Sequence, residues 1–397
     1  MPVKNSTRTS REIISSRVNM VSPSGIRKFF DLIATMKDVI SLGVGEPDFV
    51  KPWHIREAAI YSIEKGYTMY TSNFGILELR QELARHLESR YGVSYNPVGE
   101  ILITTGSSQA LDLAIRAIMN PGDEVIMADP SYVAYPACTI LAGGTPVMVP
   151  SFEAQDFRIG LHDIETRITP RTKAFLLGYP ANPTGAVMSR DEMARIGELA
   201  REREIIVIAD EIYRELVYGS QPFSFPGIPG MNEHTILVGG FSKAYAMTGW
   251  RIGYVAARKD IIEAITKIHQ YAMMCAPIMA QNAAREALKN GEADVVSMVK
   301  EYDQRRRVIV KGLRDIGFTC FEPGGAFYAF PSIRKSGMTS EDFAEKLLRE
   351  EKVAVVPGTA FGKYGEGHVR CCYATSLPEI EEALRRIANF MRRHGKA

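Results

Sequence analysis

Four polar stretches in this chain each follow an apolar run, and their residue types suit different chemical tasks. Lys243 stands in "FSKAYAMTGWRIGY" (241–254), just past "TILVGG" (235–240), among small and aromatic residues instead of on a charged face. An amine in such surroundings loses solvation, its pKa falls, and the neutral nucleophile becomes available. Asp210 follows "IIVIA" and opens "DEIY". A carboxylate at a buried strand end needs a cation, either a metal or a protonated heterocyclic nitrogen, and no second acid or histidine cluster supports the metal. Gly106-Ser107-Ser108-Gln109 follows "ILITT" and opens a helix, where backbone N–H groups, hydroxyls and the positive end of the helix dipole suit a phosphate. The spacing is not that of a Walker A loop. Asn182, in "YPANPTG", can donate and accept, on a turn shaped by Pro183 and Gly185. Taken singly, these are a surface lysine, a buried acid, a helix cap and a plain turn.

The elements that must position them argue for reading them together. "EILITTG" (100–106), "DEVIMADP" (123–130), "TPVMVP" (145–150), "KAFLLGYP" (173–180), "EIIVIAD" (204–210), "TILVGG" and "WRIGYVAA" (250–257) read as buried strands. Between them lie amphipathic helices, one with Leu111, Ala114, Ile115 and Ile118 on one face, another opened by a Ser189/Glu192 capping box. Continuous apolar strands alternating with helices predict a mainly parallel α/β sheet covered on both faces, with ligands in the crevice beyond the strands' carboxyl ends. From about residue 259 long helices take over. Short strands at "AFYAFPSI", "VAVVPG" and "HVRCCYAT" and a last helix after Ser376 then predict a second, smaller α+β domain. The first twenty residues are polar and expected to fray.

A phosphate cradle, an acid for a ring nitrogen, an Asn182/Tyr213 pair for a ring hydroxyl and a nucleophilic lysine together describe a pyridoxal 5′-phosphate site. Lys243 would hold the aldehyde carbon as an imine, and Ser242 and Arg251 the phosphate.

Composition bounds the alternatives. At 397 residues and 46% hydrophobic, the chain can bury the core of two domains. The balance of 48 Lys+Arg against 46 Asp+Glu leaves no excess for nucleic acid or an anionic membrane. Five cysteines without CxxC or Cys/His spacing predict reduced thiols in the cytoplasm. The first twenty residues lack an apolar h-region and no 18-residue uncharged apolar run occurs, so a soluble intracellular protein is expected. A nicotinamide-dependent oxidoreductase is disfavoured by the missing GxGxxG turn, and a silent cofactor-binding regulator by the lack of room for a DNA-binding module.

Over nearly its whole length the chain resembles the fold-type I, class I/II aminotransferases, closest to the aspartate/aromatic subgroup. The motifs are "SLGVGEPDF", "YTMYTSNFGILELR", "GSSQALDLA", "DPSYVAY", "YPANPTGAV", "ADEIY", "GGFSKAYAMTGWRIGY", "GGAFYAF" and "GEGHVR". The resemblance implies a large domain (46–285) with a seven-stranded-type sheet between helices. A small domain (286–397), joined by the N-terminal segment (1–45), would close over the substrate. Lys243 would carry the cofactor and shuttle the proton, and Asp210 would keep the pyridine nitrogen protonated. Tyr213 and Asn182 would bond the phenolic oxygen, Tyr132 stack on the ring, and Ser107, Ser108, Gln109, Ser242 and Arg251 hold the phosphate end. Tyr70 would reach that phosphate from the neighbouring subunit of a homodimer. Arg370 would fork onto the substrate α-carboxylate, with Gly45 and Asn182 nearby. Aspartate specialists of the subgroup often carry a lysine where this chain has Ser108. Arg27 or Lys28 could replace that charge, or Phe29, Phe30 and Met274 could make the pocket apolar. The reaction expected is amino transfer between an L-amino acid and a 2-oxo acid, 2-oxoglutarate being the expected acceptor. The alternative on the same scaffold is a C–S β-lyase.

Overall fold

Each predicted apolar run of the first 260 residues forms a strand of one seven-stranded sheet. In chain order these are β2 (Ile101–Thr104), β3 (Glu124–Asp129), β4 (Thr145–Pro150), β5 (Thr172–Leu177), β6 (Ile206–Asp210), β7 (Thr235–Gly240) and β8 (Gly253–Ala256); a two-residue β1 (Ile40–Ser41) precedes them. The computed structural model describes residues 13–23, 25 and 36–394. Arg27, Lys28, Phe29 and Phe30 therefore lie outside the described residues.

The sheet order is β2-β8-β7-β6-β5-β3-β4. All neighbours are parallel except β8, which runs antiparallel to both β2 and β7. The all-buried runs of β2 and β8, and of β7 up to Gly239, reflect helices packed on both faces. Helix Ser107–Ile118 buries Leu111, Ala114 and Ile115 of the predicted face, with Ile118 partly buried against the same cluster, and it buries Ala110 and Leu113 as well. Ser189 accepts from the Glu192 N–H and Glu192 reciprocates, so the predicted capping box opens helix Arg190–Glu202.

Beyond helix Glu292–Ile316 the chain builds smaller sheets. β9 (Tyr328–Ala329), β11 (Val356–Pro357) and β12 (Val369–Cys372) form an antiparallel sheet in the order β11-β12-β9. β10 (Val353–Ala354) pairs in parallel with β1, joining residues 40–41 to this C-terminal part. "VAVVPG", read as one strand, is thus split between two sheets. The expected frayed start also differs: Ser16–Met20 forms a short helix. One apolar cluster, including Leu42, Tyr302, Phe327, Phe343 and Phe390, lies under helices Glu292–Ile316, Ser340–Glu351 and Leu377–His394, and also takes in Tyr213. Among the described residues no helix is long and apolar enough to cross a membrane.

Candidate active site

The carboxyl ends of β2, β5, β6 and β7 converge on one cavity of about 360 Å³. Ser107, Ser108, Tyr132, Asn182, Asp210, Tyr213, Ser242, Lys243, Arg251, Arg370 and Gly45 all line it. Arg251 reaches it because β8 is reversed: the residues before β8 sit at the edge where its neighbours end. Gly253 allows the close approach, since a Cβ there would meet Gly106 and the Ser107 nitrogen. Gly106 has φ 79°, a conformation costly for other residues, and a side chain on it would strike the Arg251 guanidinium. Arg251 itself holds φ 51°, and its Nη1 donates to the Thr248 carbonyl at 2.9 Å.

The helix that begins at Ser107 has no side-chain cap, leaving its first N–H groups free beside that guanidinium. Asp210 is buried, and burial pushes its carboxyl up to about 6 against the opposing hydrogen bonds from Tyr135 and the Ile212 N–H. No cation of the described residues lies within 4.0 Å of it. Burial pulls the Lys243 amine down to about 8. Its Nζ donates to the Gly45 carbonyl at 2.6 Å, and the rings of Phe327 and Tyr213 lie 5.6 and 5.9 Å away.

Arg370 is 3% exposed and has no acidic partner within 4.0 Å among the described residues. Its Nη1 donates to Asn182 Oδ1 at 2.8 Å and its Nη2 to the Gly43 carbonyl at 2.6 Å, while Nε has no partner. The guanidinium lies between the rings of Tyr328 and Phe361, 4.4 and 4.8 Å from their centroids. Because Asn182 Oδ1 accepts from Arg370, its amide NH₂ is left to donate elsewhere.

Two expected residues fall outside the cavity, and a third lies at the surface. Gln109 turns back and accepts from the Thr105 N–H at 2.7 Å. Met274 is half-exposed and does not line the cavity. Tyr70 is 79% exposed and does not line this chain's cavity. Other lining residues were not singled out from the sequence. Tyr328 arrives from β9 and shares a 2.6 Å hydrogen bond with the Tyr213 hydroxyl. Thr248 donates to Glu46. Tyr135 contacts Asp210, and its place three residues after Tyr132 was a usable signal.

A buried acid awaiting a cation, an uncapped helix N-terminus beside an arginine, and an amine of lowered pKa fit pyridoxal 5′-phosphate. Fold and site together define a pyridoxal-phosphate-dependent enzyme of fold type I. The comparisons carry this to the family. The profile "Aminotransferase class I and II" matches residues 37–387. The chain is 55% identical to "Putative aminotransferase YugH" of Bacillus subtilis (strain 168), over 95% of this chain and 98% of that one. It is 44% identical to an aspartate aminotransferase of Pyrococcus abyssi, over 96% and 98%. The crystal structure of an aromatic aminotransferase from Pyrococcus horikoshii OT3 superposes with a TM-score of 0.88 at 42% identity, covering 93% of this chain and 99% of that one. The chain belongs to the class I and II aminotransferases and is a pyridoxal-phosphate-dependent transaminase.

Proposed function

We propose that this enzyme moves amino groups between L-amino acids and 2-oxo acids with a relaxed choice of side chain. It would take aromatic or aliphatic donors as well as aspartate or glutamate, with 2-oxoglutarate as acceptor. One observation carries the reading: among the described residues the cations lining the cavity are Lys243, Arg251 and Arg370. Each has its own task in the proposal, and position 108 is a serine, so no further described cation waits for a distal carboxylate. Arg27 or Lys28 is the proposed source of charge when a dicarboxylate binds. The aspartate and aromatic specificities named for relatives support this breadth.

In this reading the bound cofactor supplies the electron sink that makes the substrate α-hydrogen acidic. Arg370 holds the α-carboxylate, and the two rings against it fix the plane of its fork. Lys243 Nζ, kept available as a neutral amine by burial, would accept the substrate α-proton and hold it for return. Asp210 keeps the ring nitrogen protonated, Asn182 and Tyr213 donate to the phenolic oxygen, and Tyr132 covers the ring. Ser107, Ser108, Ser242 and Arg251 hold the phosphate. Residues 1–45 and 286–397 form the unit that closes over the substrate and excludes water.

We further propose a cytoplasmic homodimer. Trp53, Ile63, Met69 and Tyr70 stand exposed within one stretch, as a face awaiting a second copy would. On that face Tyr70 would complete the partner's phosphate site. The free cysteines agree with a reducing compartment. The testing experiment is a panel of amino donors with 2-oxoglutarate, compared by kcat/KM. A preference for aspartate over phenylalanine above about a thousandfold, roughly 4 kcal/mol, would refute the relaxed pocket.

A further inference from the structure

Asp210 has a buried companion. Tyr135, on helix Ala134–Leu141, donates its hydroxyl to Asp210 Oδ2 at 2.9 Å, while Oδ1 accepts from the Ile212 N–H at 3.2 Å. Tyr135 is 6% and Asp210 7% exposed, so solvent competes little for this bond. The Tyr135 ring also meets Tyr132 edge-on, centroids 5.5 Å apart at 85°. One phenol thus touches both the acid and the residue assigned to cover the cofactor ring.

A second observation comes from the loop after β5. A Cβ at Gly178 would overlap the Tyr135 hydroxyl and crowd the ring carbon that bears it. Gly178 is not among the residues with positive φ, so its backbone does not require glycine. What excludes a side chain there is the space taken by the hydroxyl. The end of a rigid phenol packed in the core cannot swing aside as a flexible chain would.

We propose that Tyr135, seated by the gap at Gly178, is a positioning residue for Asp210, keeping its carboxylate ionised and aimed at the cofactor's ring nitrogen. This rests on the assignment of Asp210 given above. A hydrogen bond donated to a carboxylate favours the charged form, and here it opposes the effect of burial. It also ties down Oδ2 while the Ile212 N–H ties down Oδ1, so the carboxylate plane is held before the cofactor arrives. The neighbouring acid Glu211 is occupied separately: it pairs with Arg214 at 2.7 Å and accepts from Ser224 and the Phe225 N–H.

The test is a double-mutant cycle on cofactor affinity, titrating pyridoxal 5′-phosphate into the cofactor-free full-length chain. Tyr135→Phe should weaken binding about tenfold, as expected for a lost hydrogen bond to a charged group. With Asp210→Ala already present, Tyr135→Phe should change affinity less than about twofold. Gly178→Ala should weaken binding in the same direction while leaving the hydroxyl in the chain. In turnover, Tyr135→Phe should lower kcat and leave KM for the donor unchanged, because Arg370 is untouched. Equal weakening by Tyr135→Phe with and without Asp210 would reduce Tyr135 to a packing residue and overturn the proposal. So would unchanged affinity in Tyr135→Phe when Asp210→Ala is impaired. Normal cofactor affinity in Asp210→Ala would instead remove the assignment of Asp210, and this inference with it.

Discussion

Replacing Arg370 by alanine should separate catalysis from stability more sharply than any other change in the cavity. A guanidinium has five N–H donors. Two are engaged here, by Asn182 and the Gly43 carbonyl, and Nε is unpartnered although the residue is 3% exposed. A buried cation without a counter-charge costs the free protein stability, and a substrate carboxylate would supply the missing anion. Two hydrogen bonds to that carboxylate, at about 1.5–3 kcal/mol each, are worth about 3–6 kcal/mol. Their loss should lower kcat/KM by about 10²–10⁴-fold, and by a similar factor for aspartate, phenylalanine and leucine, because every donor carries the same α-carboxylate. Arg370→Lys should recover only part, since an ammonium restores the charge but not the planar fork. Thermal unfolding of the free enzyme should change little, the lost bonds to Asn182 and Gly43 being offset by relief of the buried charge. The assay is steady-state kinetics on that panel beside a melting curve. A loss below about tenfold, or one differing more than about tenfold between donors, would refute the assignment. A collapse in stability matching the loss of activity would show Arg370 to be structural.

Other expectations concern the rest of the cavity. Reduction of the holoenzyme with borohydride followed by peptide mapping should place a pyridoxyl group on Lys243, and a label on any other lysine would remove it from its role. Asp210 is raised from 3.8 to about 6, so the cofactor-free native state binds the extra proton and stability from this group falls as pH rises through that window. Above pH 6 the cost is about 3 kcal/mol. Asp210→Asn should therefore cut kcat by orders of magnitude yet make the cofactor-free protein more resistant to urea at pH 7, a gain that closes toward pH 4. A variant no more resistant at pH 7 than the parent would show that burial does not strain this carboxylate. Mixing Tyr70→Phe with Lys243→Ala subunits, each nearly inactive, should restore activity through hybrid dimers with one intact site. Confirmed subunit exchange without recovery would argue that both residues serve the same chain.

Much of this site was legible because its chemistry sits at the ends of strands whose apolar runs announce themselves. The spacing of buried residues in "ILITT", "IIVIA" and "TILVGG", and the Ser189/Glu192 box, are local signals, set by side-chain period and backbone capping within a few residues. Lys243, Asp210 and Asn182 could be recognised because their residue types are unusual beside such runs. Arg370 and Tyr70 were reached only through family resemblance, since neither follows a strand of the large sheet. Other features depend on pairings between residues far apart in sequence. That β8 lies between β2 and β7 and runs against both was not readable, yet this reversal carries Arg251 to the Gly106 turn. The split of "VAVVPG" between two sheets, and the arrival of Tyr328 from β9 against Tyr213 and Arg370, are likewise decided by packing partners. The Gln109 side chain is another such case: its amide oxygen accepts from the Thr105 N–H, and it does not line the cavity. The sequence by itself determined which groups could do the chemistry and which strands would bear them. Only the tertiary structure decided which groups meet, and how far burial moves Lys243 and Asp210 from their ordinary pKa values, because desolvation depends on what every other part of the chain packs against them.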